Sequence, residues 1–398
     1  MPRELANKPV QSPRCKLTAP TREILSLKIL YTNFHNGDGG GHTTYIMNLA
    51  RALAPRHEIF VAAPASSRLY QAASAIPGVQ VIDLAFNNRL PTVLRTTKAL
   101  RGLIARHGFD VIHVNGSADH RMAMLAIIGK GKRRPRIVYT KHNDLPVTGL
   151  ATWLKARFAT DCVICVCEYT RRKLAQTAYA HGALRVVYNG IDLARYAPLD
   201  AAATQAARAQ WLPANEQHVL ALGSNAGTPD YKGWLDLVEA VSTLPDNLRR
   251  QVRIVMAGET PSARQVERVA ALGMTERVTF SGLLDDVRPL VAALDIGFVI
   301  SHQETISFAC REMMAMGKPA LVSDVGGLPE NVTSGVDGWV VPARNPAALA
   351  QWLTGILAQR EQLPAMAHAA RDKAVREFSL DTFVQGTEQV YRDLLAAR

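Results

Sequence analysis

Apolar residues recur along the chain in two rhythms, and their alternation sets the architecture. From residue 27, short apolar runs such as Leu27-Lys28-Ile29-Leu30-Tyr31 alternate with stretches of helical period. The first such stretch runs over 43–53 and carries Tyr45, Ile46, Leu49 and Leu53 on one side. Further strands are predicted at 58–62, 79–84, 111–114, 137–140, 162–166 and 186–188, with helices at 66–75, 92–107, 119–129, 149–159 and 170–180. The rhythm breaks over 190–216, where an alanine-rich stretch after Asp200 reads as a linker helix without a strong apolar stripe. It resumes with strands at 218–222, 253–257, 278–281, 296–301 and 320–323. Helices are predicted between and after them at 233–243, 262–272, 286–293, 306–316, 346–359, 364–377 and 380–397. Strands alternating with helices build parallel sheets. The chain therefore reads as two doubly wound α/β halves, and such sheets bind ligands beyond the C-terminal ends of their strands. A cleft between the halves is the predicted site.

Composition narrows the picture. A length of 398 residues suits two domains, and 48% apolar with 20% charged residues excludes collagen, coiled coil and wholesale disorder. No apolar run approaches the roughly 18–20 residues of a membrane span. Residues 1–26, polar and proline-rich, read as a flexible arm without the apolar core of a secretory signal. Five cysteines, Cys15, Cys162, Cys165, Cys167 and Cys310, are too few and odd in number for a disulfide framework, which points to a reducing cytoplasm. Cys162-x2-Cys165-x-Cys167 has zinc-like spacing, but it lies on a predicted buried strand with no further ligand pair. Alternation sends Cys162 to one face and Cys165 and Cys167 to the other, so these read as core cysteines and no metal is expected.

The charge of +12 calls for a polyanion among the candidate partners. Its densest source is Lys130-Gly131-Lys132-Arg133-Arg134-Pro135-Arg136, either a solvated loop or a patch for anionic lipid or an anionic glycolipid. No aromatic interleaving and no nucleic-acid module accompany it, so a nucleic-acid partner is not expected. A dinucleotide-dependent oxidoreductase is a rival because a glycine cluster, Gly37-Asp38-Gly39-Gly40-Gly41, follows the first strand. The fingerprint fails, since His42 or Thr44 stands where glycine or alanine is required.

The most informative stretch is 296–319. Glu304 falls in a strand–helix loop, and Glu312 lies eight residues later, about 12 Å along a helix axis. Phe308 and Met316 are its i±4 neighbours, so an ionised Glu312 needs partners. Backbone N–H groups at Ile306, Ser307 and Phe308 would form an anion site at the start of the helix. On these residues alone, a surface Glu304 and a structurally paired Glu312 remain open.

Glu304-x7-Glu312 is followed by Met313-x3-Gly317-Lys318-Pro319, Ser323-Asp324-Val325-Gly326-Gly327-Leu328-Pro329-Glu330 and Gly338-Trp339-Val340-Val341-Pro342. Upstream stand Asp110-Val111-Ile112-His113, Cys167-Glu168-Tyr169-Thr170 and Val187-Tyr188-Asn189-Gly190-Ile191-Asp192. In order and spacing this resembles the retaining, nucleotide-sugar-dependent family-four glycosyltransferases, from about residue 27 to the C-terminus. The resemblance implies the GT-B fold, two Rossmann-like doubly wound domains facing each other across a cleft. It implies an N-terminal acceptor domain (27–190), a linker (191–215), a C-terminal donor domain (216–375) and a final helix (376–398) crossing back to the first domain.

It also implies roles. Glu304 would bind the donor sugar's hydroxyls, Glu312 both ribose hydroxyls, and the N–H groups of Ile306, Ser307 and Phe308 the sugar and diphosphate. His142 would reach the sugar across the cleft, and Lys232, in Tyr231-Lys232-Gly233, would neutralise the leaving diphosphate. Gly39, Gly40 and Gly41 would let the backbone approach that diphosphate. No Asp-x-Asp is present, so neither metal nor other cofactor is expected beside the nucleoside diphosphate sugar. The acceptor would be a glycan or glycolipid at the cytoplasmic face of an anionic inner membrane, as in lipopolysaccharide core or O-antigen synthesis. A GT-B sugar-binding protein without catalysis is the alternative.

Two departures stand out. The family's Gly-Arg before its Lys-Gly reads Gly223-Ser224-Asn225 here, so one clamp cation is missing or supplied from elsewhere. The family's Gly-Phe-Gly after the first glutamate reads Thr305-Ile306-Ser307, and β-branched residues resist φ > 0, so a differently shaped loop is expected.

Overall fold

The computed structural model describes residues 26–216 and 218–397; the predicted arm over 1–26 lies, but for Ser26, outside the described residues. Two wholly parallel sheets form. The first contains β1 (Lys28–Thr32), β2 (Glu58–Ala63), β3 (Val79–Asp83), β4 (Val111–Val114), β5 (Arg136–Lys141), β6 (Cys162–Cys165) and β7 (Ala183–Val186), in the order β3-β2-β1-β4-β5-β6-β7. The second contains β8 (Leu220–Ser224), β9 (Val252–Met256), β10 (Val278–Phe280), β11 (Ile296–Val299), β12 (Ala320–Ser323) and β13 (Gly338–Val341), in the order β10-β9-β8-β11-β12-β13.

Helices cover both faces of each sheet, which is why the strands read as continuous apolar runs. On β1, Ile29 and Tyr31 enter one core and Leu30 the other. On β9, Val252, Ile254 and Met256 face one core and Val255 the other. In each sheet the strand order reverses once, between β1 and β4 and between β8 and β11. Ligands of doubly wound sheets bind at such switch points, and the loops leaving β1, β8 and β11 line one cleft.

The chain crosses between halves twice, at neighbouring places. Ile191 N–H donates to the Phe378 carbonyl (2.7 Å), and Leu380 N–H returns to the Ile191 carbonyl (3.1 Å). Gly190 is required there, because a Cβ would stand 2.7 Å from the Leu380 Cα. The helix Leu380–Ala396 then packs Phe383, Val384, Val390 and Tyr391 into the same core as Ile29 and Tyr45.

Several boundaries differ from expectation for local reasons. The strand expected at 186–188 lies at Ala183–Val186, because Tyr188 has left the sheet and donates its hydroxyl to Glu330 (2.8 Å). The helix expected over 170–180 starts at Glu168, stops at Leu174 and resumes as a 3-10 turn, Ala178–His181. Cys162 and Cys165 point into opposite cores as alternation requires. Cys167 does not share the face of Cys165: it sits beyond β6, against Ile306 of the other half. All four described cysteines are free and buried.

The basic run is also divided by the fold. Arg134 is bidentate to Asp161 (2.6 and 2.9 Å) and Arg136 adds a third contact (3.0 Å), so these two serve the structure. Lys132 and Arg133 are exposed on a 3-10 turn and Lys130 just before it is half-buried.

Candidate active site

A cleft of about 550 Å³ lies between the halves, lined by Gly40, Gly41, His42 and His142 on one side and by Asn225, Lys232, Glu304, Ile306, Ser307 and Phe308 on the other. Sequence reasoning named most of these residues from widely separated segments; Gly39 and Glu312 stand just outside the lining.

The glycine loop is shaped by necessity. Gly39 has φ 69°, and a Cβ there would come 2.5 Å from Thr43 Oγ1. Gly40 (φ 47°) opens the helix Gly40–Leu53, its N–H taken by Asp38 Oδ2 at 2.9 Å. Gly41 faces the other half so closely that a Cβ would touch the Phe308 ring at 3.4 Å.

Opposite, Lys232 Nζ pairs with Glu304 Oε2 at 2.7 Å, with side chains only 17% and 16% exposed. Gly233 (φ 70°) presses that turn onto the end of β11, where a Cβ would stand 2.1 Å from the Ile300 carbonyl. This close approach explains the Lys-Gly pairing, since the glycine sets where the ammonium sits. Among the described residues lining the cleft, Lys232 is the only lysine or arginine. Ser224 leaves no room for a clamp arginine: it is 2% exposed, and its Oγ accepts the Ala226 N–H (3.2 Å).

The loop after Glu304 has a positive φ at Ser307 (φ 65°, ψ 110°), where the resemblance places the second glycine, so Thr305 and Ile306 avoid the strain. Such a conformation costs a non-glycine residue about 1–3 kcal/mol. Ser307 caps the helix Phe308–Ala315, its Oγ accepting the Cys310 N–H at 3.3 Å. The helix therefore begins two residues later than expected, and the Ile306 side chain is buried against Val166 and Cys167. Thr305 Oγ1 donates across the cleft to the His142 carbonyl (2.8 Å).

Glu312 is not an ion-pair residue among the described residues. Its carboxylate accepts Asn225 Nδ2 at 2.7 Å and the Tyr196 hydroxyl, and burial raises its pKa above the usual carboxylate range. His142 packs against His42 (4.2 Å between centroids) and Tyr45 (4.7 Å), and donates from Nε2 to Asn115 Oδ1 at 2.8 Å. Burial and the nearby His42, His113, His35 and Lys141 push its pKa well down, and burial brings His42 to about 4. Both imidazoles are therefore neutral near pH 7. Asn115, Asn225, Tyr196 and His42 were missed by sequence reasoning. The signal available for Asn115 and Asn225 was position, each being the first residue beyond a switch-point strand.

Among the described residues no cluster of three or more His, Cys, Asp or Glu could hold a metal ion. Two facing Rossmann-like domains with an ion-paired carboxylate and a helix start at the cleft define a glycosyltransferase of the GT-B class. Residues 39–195 match the model described as Glycosyltransferase Family 4, and residues 216–359 match Glycosyl transferases group 1. The chain belongs to the family-four glycosyltransferases.

N-acetyl-alpha-D-glucosaminyl L-malate synthase of Bacillus anthracis is 24% identical over 387 residues, covering 93% of this chain and 98% of its own. HepE of Anabaena in complex with UDP superposes with TM-score 0.78 at 20% identity, over 92% of this chain and 100% of that one. WaaG, a glycosyltransferase involved in lipopolysaccharide biosynthesis, superposes with TM-score 0.67 at 18% identity, over 92% and 99%.

Proposed function

We propose that the chain is a retaining hexosyltransferase that moves a sugar from a nucleoside diphosphate to a hydroxyl of a glycan or glycolipid. The observation that carries this reading is the Lys232–Glu304 pair, held at 2.7 Å beside the start of the helix Phe308–Ala315 and facing Gly40, Gly41 and His142. Glu304 binds hydroxyls of the donor sugar, and Lys232 meets the charge that grows on the leaving diphosphate. The N–H groups at the start of that helix and the Gly39–Gly41 loop hold the diphosphate itself. Glu312, with Asn225, takes the ribose hydroxyls, and His142 meets the sugar. With no protein nucleophile assigned, the leaving diphosphate takes the acceptor's proton on the same face of the sugar. The protein's work is then positioning and preorganised charge, and the two halves exclude water from the donor. No metal is needed in this scheme.

The UDP complex of HepE supports a nucleoside diphosphate donor, and WaaG supports an envelope setting such as lipopolysaccharide core synthesis. Nucleotide release from a panel of activated hexoses, with the anomeric configuration of the product read by NMR, tests the reading. Inversion at the anomeric carbon, or no release from any donor, overturns it.

The same reading places the enzyme on an anionic membrane surface in the cytoplasm. No described helix is long and apolar enough to cross a membrane. Lys132 and Arg133 are exposed, and so are Ile128 and Phe158 in the same half. Each cation near an anionic surface contributes about 1 kcal/mol, so Lys132→Glu with Arg133→Glu should weaken binding to anionic vesicles at least tenfold. Binding by the wild type should also fall as salt rises. Sedimentation with vesicles checks both, and binding indifferent to salt and to the substitutions contradicts the surface assignment.

A further inference from the structure

The His142 imidazole, which lines the cleft, is held by a side chain whose own orientation is settled by its neighbours. Asn115 follows β4 and is 1% exposed. Its Nδ2 donates to two carbonyls, those of Thr32 (3.1 Å) and His113 (3.3 Å). Amide oxygen and nitrogen are often interchangeable by shape, but two carbonyls on one side admit only the nitrogen. Oδ1 must then face His142 Nε2, at 2.8 Å. An amide oxygen can only accept, so Nε2 carries the proton.

The support for Asn115 is itself fixed. Its backbone N–H donates to Asp119 Oδ2 (2.9 Å), which also accepts from Thr32 Oγ1 (2.7 Å). His42 lies against His142, with ring centroids 4.2 Å apart. Nδ1 of His142 has no hydrogen-bond partner among the described residues, and its ring lines the cleft.

We propose that Asn115 is a positioning residue that locks His142 in the Nε2–H tautomer, so that Nδ1 offers the bound donor sugar an acceptor and not a proton. The role of the sugar rests on the glycosyltransferase reading above; the tautomer does not. A neutral imidazole with one nitrogen committed must present a lone pair at the other. A hexose hydroxyl can donate to that lone pair. The carboxylate of a hexuronic acid has no proton to give and meets acceptor against acceptor. Asn115 thereby contributes to choosing a neutral hexose donor over its uronic acid.

The test begins with wild-type protein carrying 15N-labelled histidine, the His142 signals being assigned by their loss in His142→Gln. Between pH 6 and 8, Nε2 should report as protonated and Nδ1 as unprotonated. A protonated Nδ1, an imidazolium or an even mixture in the wild type overturns the proposal, whatever the enzyme transfers. Folded Asn115→Leu should mix the tautomers and lower kcat at least tenfold while donor KM stays within about threefold. It should also narrow the preference in kcat/KM for a nucleoside diphosphate hexose over the matching hexuronic acid. Mixed tautomers in Asn115→Leu with unchanged kcat and unchanged donor preference overturn the positioning role. If Asn115→Leu fails to fold, Asn115→Ser takes its place, and the wild-type spectrum still decides the tautomer. Absence of turnover with every donor condemns the glycosyltransferase reading alone.

Discussion

Replacing Lys232 by alanine is expected to reduce turnover by about 10²–10³, the loss typical of one preorganised electrostatic donor or roughly 3–4 kcal/mol. The reason is scarcity of charge. A diphosphate leaving group gathers close to two negative charges, and Lys232 is the only lysine or arginine among the described residues lining the cleft. The position where the family resemblance places an arginine is occupied by the buried Ser224, so no second lining cation shares the load. The ammonium also neutralises Glu304 at 2.7 Å, and its loss leaves that carboxylate unpaired in a largely enclosed site. Lys232→Ala and Glu304→Ala should therefore be strongly non-additive, with the double variant scarcely worse than Lys232→Ala alone. Lys232→Arg should recover part of the rate, because charge is restored but a planar fork replaces a point charge. Single-turnover kinetics with a nucleoside diphosphate sugar measure all four proteins. Lys232→Ala retaining more than a tenth of wild-type turnover would show that a cation from elsewhere reaches the diphosphate.

Much of this site was legible in the sequence because its parts lie at strand ends, and strand ends are where parallel α/β sheets bind ligands. Glu304, Lys232 and the glycine loop follow β11, β8 and β1, each of which the apolar rhythm located. What the sequence did not show is what depends on contacts between distant segments. The sequence led to a differently shaped loop after Glu304, yet a positive φ is kept there by Ser307, while Thr305 is held by the His142 carbonyl and Ile306 by Val166 and Cys167. Such strain is tolerated only where the surroundings over-determine it, and those surroundings come from the other half of the molecule. The basic run failed as a unit for the same reason. Asp161, 25 and 27 residues away, claims Arg136 and Arg134, so a charge count overstates the surface patch. Asn115 and Asn225 escaped notice because an asparagine beyond a strand carries no motif of its own; only its partners mark it.

Glu312 is expected to show opposite effects on stability and on donor binding. Its carboxylate is buried with two neutral donors, Asn225 and Tyr196, and burial raises its pKa. An acid whose pKa is raised by folding binds its proton more tightly in the folded state. Its contribution to stability is therefore fully present below the unfolded value of about 4.3 and is lost as pH climbs through the raised folded value. As pH climbs through that value, the empty protein comes to hold an ionised group in a poorly solvating place. Glu312→Gln removes that cost while preserving size and one acceptor oxygen, so the thermal midpoint without donor should rise at pH 7 and change little at pH 4. Donor binding moves the other way. The two ribose hydroxyls gain charge-assisted hydrogen bonds only from the ionised carboxylate, roughly 1.5–3 kcal/mol each. Glu312→Gln should accordingly raise donor KM at least tenfold while kcat falls less, since the ribose is far from the bond that breaks. In the wild type, donor KM should increase as pH drops through the raised pKa, and in Glu312→Gln that dependence should disappear. Thermal melts with and without nucleoside diphosphate, together with KM across pH, read both arms. A variant that is destabilised, and whose donor KM stays within twofold of wild type, would make Glu312 a structural residue and move the ribose contact elsewhere.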